Sequence, residues 1–396
     1  MATYVDQEKI QSLFKPQFIN EIFELAKKSS FVLENATRLP NMTGKDMDID
    51  VLSNLPIAYW AGADTATRQI TSLALKGKRI RAEEMNVLIP ISKNSLADAS
   101  VDLEKLIKER GAEAIGKLLD TAVITGKGKP AGFREGIIPS CIAYGAKVTL
   151  NTSATVPFYS AIDSAMALVE ASDYEPDGIV SNYSAKSMFR NMVDSTGQPL
   201  ANTEIGGLKR LFVSNGAWDA TLGKALVGDM KQVYYAIRQE VTVDVLTEGT
   251  IVNPNNSSET YNLGQQRMIA IMLTMRMGWE IPNPVSSYNE GNAAAFPFAL
   301  IQASGANTEP ACTLTVTVKD TASTPAAIEG ATVTVGGNEA KTNASGVATF
   351  KVNQGGTYLV DATANGKAAQ AVEVVIGSSA TTASQAFNLA PFKARN

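Results

Sequence analysis

"GDMKQVYYAIRQEVTVDVL", residues 228–246, sets an aspartate after a glycine and follows it with alternating apolar residues. Val241, Val243 and Val245 share one face of a strand and Thr242 and Asp244 the other, a period of two that extends back through Val233, Tyr235 and Ile237. Asp229 then falls where a turn hands over to a strand, a position that aspartate fills for backbone reasons. No titratable partner of catalytic type lies near it in sequence, so the stretch reads as structure rather than the rim of an active site.

On either side of this strand, helices and strands alternate between 150 and 255. Helices are expected at "PFYSAIDSAMALVEA" and "SAKSMFRNMVD", and strands at "GIVSN", "RLFVS" and "ALVGD", which together read as a compact α/β domain. Downstream, "QRMIAIMLTMRMGWEI" (266–281) is a buried strand expected to return to a sheet beneath a long helix. That helix begins near Ser100 and runs to Gly126. Its apolar stripe is Leu103, Leu106, Ile107, Ala114, Ile115, Leu118, Leu119, Ala122 and Val123, with Ser100 suited to cap one end and Gly126 the other. At the α-helical rise it is roughly 37 Å long, a structural spine.

Further upstream, "IAYWAG" and "MNVLIPIS" enclose "DTATRQITSLALKGKRIR", which reads as an extended two-stranded flap. A lone ribbon is marginal in water, so this flap is expected to pack on another subunit. Residues 1–30 read as an arm with a short helix, "FINEIFELAKKS", that places Phe18, Ile22, Phe23 and Leu25 near one face. After "FPFALIQASGANTEPA" the text changes to short Thr- and Val-rich strands separated by Gly, Asn and Pro turns. Residues 311–396 are therefore expected to form a small β-sandwich behind a linker at 304–310, with few contacts across the boundary.

Composition removes many functions. The 396 residues are 45% hydrophobic and 19% charged, enough for two or three packed domains, and the net charge of −4 lacks the basic footprint of a dedicated nucleic-acid reader. There is no histidine, which excludes Ser-His-Asp and Cys-His mechanisms and His-ligated metal sites. Cys141 and Cys312 stand 171 positions apart and are expected to be free and buried. The N-terminus lacks the pattern of a signal peptide and no run of 18 apolar residues follows, so no membrane partner is expected and folding is expected in a cytoplasm.

Two motifs invite chemical readings and favour plain ones. Asp46, Asp48 and Asp50 have the opening spacing of a calcium loop, but Val51 replaces its glycine and Ile57 its bidentate glutamate, leaving a solvated strand face. "TGKGKPAG" (125–132) has Val123 where a phosphate loop needs its first glycine, and a proline after the lysine. Neither an enzyme nor a cofactor is expected.

The stretch at 228 resembles the signature strands of tailed-bacteriophage major capsid proteins. The likeness continues in "AYWAGADTATRQITSLALKGKRI", "VLIPISKNSLADASVDLEKLI", "ITGKGKPAGF", "GIVSNYSAKSMFRNMVDSTGQPL" and "IAIMLTMRMGWEI", in the family's order over about residues 15–285. It implies an α+β capsid fold with an N-terminal arm (1–30), a peripheral domain (31–149) carrying an extended loop (about 55–85) and the spine helix (about 100–125), and an axial domain (150–255). A return strand and C-terminal segment (256–303) follow. The tail, in "IEGATVTVGGNEAKTNASGVATFKVNQGGTYLVDATANG", resembles the immunoglobulin-like and carboxypeptidase-regulatory-like sandwiches that some phages append to virion proteins.

The resemblance implies a shell subunit of the virion, assembled in the host cytoplasm through pentamers and hexamers around double-stranded DNA held non-specifically. Portal and separate scaffolding proteins are implied partners, and host surface glycans are a family-level partner for the sandwich. Candidate inter-subunit contacts are Trp60, Arg68, Lys76, Lys78 and Arg79 in the extended loop and Phe14, Phe18 and Phe23 in the arm. Some members of the family weld their shells by a lysine–asparagine isopeptide bond promoted by a glutamate. Gly77, Arg267 and Thr274 stand at those three positions here, so no covalent cross-link is expected. The alternatives are an encapsulin-like compartment shell, a surface adhesin or layer protein, and an α/β enzyme.

Overall fold

The computed structural model describes residues 16–56, 58, 73–94, 103–150, 157–193, 198, 206–253, 256–284, 295–303, 312–322 and 325–392. Helices α1 (Pro16–Ser29) and α2 (Phe31–Asn35) lead through β1 (Thr37–Arg38) into a hairpin of β2 (Asp46–Asn54) and β3 (Ala74–Arg81), followed by β4 (Glu83–Ser92). The spine helix α3 (Leu103–Asp120) continues as a π-helical turn, Thr121–Thr125, and stops at Gly126 with φ +72°. Then come α4 (Ile137–Ala143), β5 (Lys147–Thr149), α5 (Pro157–Glu170), β6 (Gly178–Asn182), α6 (Lys186–Arg190), β7 (Lys209–Val213) and β8 (Ala225–Gly228). The shell portion closes with β9 (Tyr234–Leu246), β10 (Thr250–Asn253), β11 (Asn256–Asn262), β12 (Met268–Glu280) and β13 (Phe298–Gln302).

Strand β12 organises the first core. It lies between β9 and β4, antiparallel to both, and alternation gives way to near-continuous burial because the spine helix packs on the strand and Ile80 and Arg81 of β3 close on it at Gly278. Ile115 and Leu119 of α3 share a core cluster with Leu273 and Met275 of β12. Gly111 permits the close approach, since a Cβ there would stand 2.3 Å from Leu273 Cδ1. The buried line on α3 is narrower than the apolar stripe: Ile107, Ile115, Leu119, Ala122 and Val123 are buried, whereas Leu106, Ala114 and Leu118 face outward. One sheet buries only the helix flank turned toward it.

The junction of α1 and α2 is fixed by Asp120, at the end of α3. Its buried carboxylate accepts from Ser30 Oγ and Phe31 N at 2.7 Å, from Val32 N at 3.0 Å and from Asn215 Nδ2 at 2.5 Å. Burial pushes this carboxyl above the usual range and the four donors pull against that.

A second sheet, in the order β5-β13-β8-β6-β7, packs under α5 and α6 on a separate core. Membership of the sheets differs from the sequence reading at two places. Strand β9, read with the 150–255 unit, instead pairs with β12 over Tyr234–Leu246. Strand β13, read with the C-terminal segment, enters this second sheet between β5 and β8. Long-range pairing, not proximity in sequence, decides both. The flap also shifts: its arms are β2 and β3, while "MNVLIPIS" lies in β4 and pairs with β12.

The tail forms a β-sandwich of β14 (Cys312–Asp320), β15 (Thr332–Val335), β16 (Asn338–Lys341), β17 (Val347–Val352), β18 (Thr357–Thr363), β19 (Gln370–Val375) and β20 (Thr382–Leu389). Its sheets, β17-β14-β20 and β16-β15-β18-β19, enclose a core of their own that includes Cys312. Cys312 and Cys141 are both buried and unpaired. Among the described residues no helix is long and apolar enough to cross a membrane.

Candidate functional site

The opening aspartate holds a turn. Asp229 accepts a hydrogen bond from Lys231 N at 2.9 Å and caps the short helical turn Met230–Gln232 that precedes β9. The residues with functional geometry lie instead on the β2–β3 hairpin and at its base.

The hairpin pairs Asp46 with Arg81, Asp48 with Arg79, Asp50 with Gly77 and Leu52 with Leu75. An aspartate ladder thus opposes an arginine ladder, with Asp46–Arg81 and Asp48–Arg79 contacts of 2.9 Å. The solvated face expected for the three aspartates is what forms, and no cluster of metal-ligating side chains occurs among the described residues. Toward the tip the charges give way to leucines: Leu52 is 36% exposed, Leu73 62% and Leu75 61%. Near the base, Met42, Ile80, Ala82 and Ala236 form a cluster of only four buried residues. A ribbon so built holds its base and, among the described residues, leaves its apolar end without cover.

The expected contact residues divide. Lys76 forms an ion pair with Glu339 of β16, Arg79 is engaged with Asp48, and Lys78 is half-buried, with burial lowering its ammonium below the usual range. Phe23 is a correction: it lies in the core of its own chain, with Arg38 stacked 5.6 Å over its ring, because α1 packs against the spine helix. Trp60, Arg68, Phe14 and the linker 304–310 lie outside the described residues, as does the side chain of Phe18. At the positions where the family's cross-link would fall, Gly77 faces Asp50, Thr274 Oγ1 donates to Asn86 at 2.8 Å, and Arg267 adopts φ +52°.

Sequence reasoning missed the loop after the spine helix. Arg134 is buried against Glu280 in an ion pair and donates to Ile281 O at 2.8 Å. Glu135 is also buried, 3.7 Å from Lys129, whose ammonium sits 4.5 Å over the ring of Tyr358 in the sandwich. Burial raises the Glu135 carboxyl and lowers the Lys129 ammonium, and each partner opposes the shift of the other. Nothing local could have signalled the Arg134–Glu280 pair, since the two are 146 positions apart. "TGKGKPAG" supplies Lys127 and Lys129 to ion pairs with Asp219 and Glu135.

These surfaces join a family match. The model of the phage capsid family covers residues 12–286, more than half of the chain. The chain belongs to the phage capsid family. A solved chain of Mycobacterium phage Bobi is 28% identical, with a TM-score of 0.61 over 70% of this chain and 91% of its own. A chain of Microbacterium phage Oxtober96 is 26% identical, with a TM-score of 0.61 over 69% and 91%. One from Mycobacterium phage Adephagia shares the fold at 24% identity and a TM-score of 0.62. No curated protein matches the chain. It is a capsid shell protein, a structural component of the virion, and the matched region ends before the sandwich begins.

Proposed function

We propose that this capsid protein builds the icosahedral head through pentamers and hexamers of itself, and that the head encloses double-stranded DNA without reading its sequence. The hairpin carries the reading: the paired Leu52 and Leu75 and the neighbouring Leu73 stand exposed on a ribbon that has no second layer among the described residues, a surface that a neighbouring copy of the chain would cover. The partition into arm, peripheral domain and axial domain belongs to this proposal, as do assembly in the host cytoplasm and portal and separate scaffolding partners. The contact role of Lys76, Lys78 and Arg79 belongs to it as well.

The sandwich is proposed to face outward. From residue 307 to 396 it carries six basic and six acidic residues, a balance that gives packaged DNA no hold, and an outward domain could meet host glycans. Electron microscopy of the purified chain tests the proposal. Closed particles with five-fold and six-fold capsomers and protruding sandwich density are expected; open sheets or density inside the wall would overturn it.

A further inference from the structure

We propose that the C-terminal sandwich is an intrachain clamp that braces β3 of the extended hairpin. Four contacts carry the inference. The tip of the β15–β16 turn sits on the loop after the spine helix, where Glu135 N donates to Gly336 O at 2.6 Å. From β18 and the turn before it, Leu359 N donates to Ala131 O at 3.3 Å and Asn353 Nδ2 to Glu135 at 3.4 Å. On the far side, Glu339 of the sandwich takes Lys76 of the hairpin.

Between these points runs a cleft of about 500 Å³ with β3 on one wall and the outward face of β15 and β18 on the other. Thr332, Thr334, Asp361 and Thr363 line the sandwich side, and Lys76, Lys78, Arg79 and Arg81 the hairpin side. Asp361 is partly buried, which raises its carboxyl, and the charges of Arg81 and Arg79 act against that rise. The cleft therefore sets a cationic strand edge against an acidic and hydroxyl-bearing sheet.

The physical need is plain in the hairpin itself. A two-stranded ribbon anchored by four buried residues has little resistance to bending, and an element that must reach a neighbour needs a fixed starting angle. The sandwich supplies a rigid body with its own core, seated on the loop that also holds Arg134 against β12. The seat is close-fitting: a Cβ on Gly337 would stand 2.5 Å from Arg134 Cγ.

The fit gives a selective test in the full chain. Gly337→Asn keeps a residue that tolerates φ +84° but drives its side chain into Arg134. Gly330→Asn, at φ +72° with nothing within 4 Å, controls for the backbone. Hydrogen exchange in Gly337→Asn should accelerate at Glu135 and Leu359 and, on the order of tenfold, at 74–81, while β14 and β20 stay protected. Gly330→Asn should leave all of these unchanged. Glu339→Lys should also speed exchange at 74–81, and adding Lys76→Glu should restore it. Faster exchange at Glu135 with none at 74–81, or failure of the double reversal to restore protection, overturns the clamp. Any consequence for assembly rests on the proposed shell role, but the exchange readout does not, so the two can fail separately.

Discussion

In the β2–β3 hairpin, Leu52 and Leu75 face each other across the ladder and remain exposed, whereas in the sandwich Val335 and Val360 face each other the same way and are buried. Val335 and Val360 follow the alternation of their strands, whereas Leu52 and Leu75 sit on the hairpin face that carries Asp46, Asp48 and Asp50. The sandwich folds a second sheet over its apolar face; among the described residues the hairpin has no second layer over Leu52 and Leu75. An apolar pair is thus core in one place and unfinished surface in the other, and what separates them is the presence of a covering layer within the chain.

The sharpest way to break this contrast is to put a charge at each pair. Leu75→Asp should abolish closed particles in electron microscopy while changing subunit stability by less than about 0.5 kcal/mol, as for an exposed site. Particles of normal form would mean that the leucines are not an interface. Val360→Asp should do the opposite to the fold, costing about 4 kcal/mol or more by burying a charge with no partner. Hydrogen exchange should then show β14 to β20 losing protection together. Survival of the sandwich would mean that its core is looser than its packing implies.

Charged groups sharpen the same contrast. Arg134→Ala leaves Glu280 buried without its partner beneath the sandwich tip, and denaturant unfolding should register a loss of about 3 kcal/mol. The exposed pair Lys127–Asp219, at 2.5 Å, should matter least. Lys127 beside Asp219 holds its carboxyl down at about 2. A carboxyl with a lowered value in the folded state stabilises above its ordinary range, and that contribution disappears as pH falls from about 4 toward 2. Solvent screens the pair, so Asp219→Asn should cost under about 1 kcal/mol at pH 7 and nothing near pH 2 in thermal melts. A larger loss at neutral pH would place this turn among the buried sites.

Much of the fold was legible because its signals are local. The alternation at 241–245 marks a strand, Gly126 can adopt the left-handed conformation that ends the spine, and Asp229 caps a turn with its own side chain. The alternating Asp46, Asp48 and Asp50 needed only a strand to become one solvated face. Each of these depends on backbone chemistry within a few residues, which one sequence contains in full.

The rest depended on which distant surfaces meet. Alternation makes 234–246 a strand but carries no record of its partner, and β12 rather than the 150–255 unit takes it. Helical spacing put Phe23 on the arm's apolar face, expected as a contact to another subunit, and the close packing of α1 on the spine buries it in the core of its own chain. Arg134 and Glu280, or Glu135 and Asn353, acquire their roles only when segments 146 and 218 positions apart are brought together. The seating of the sandwich on that loop is of the same kind, because complementarity between two folded surfaces is a property of their shapes and charges in space and leaves no periodic trace along either strand.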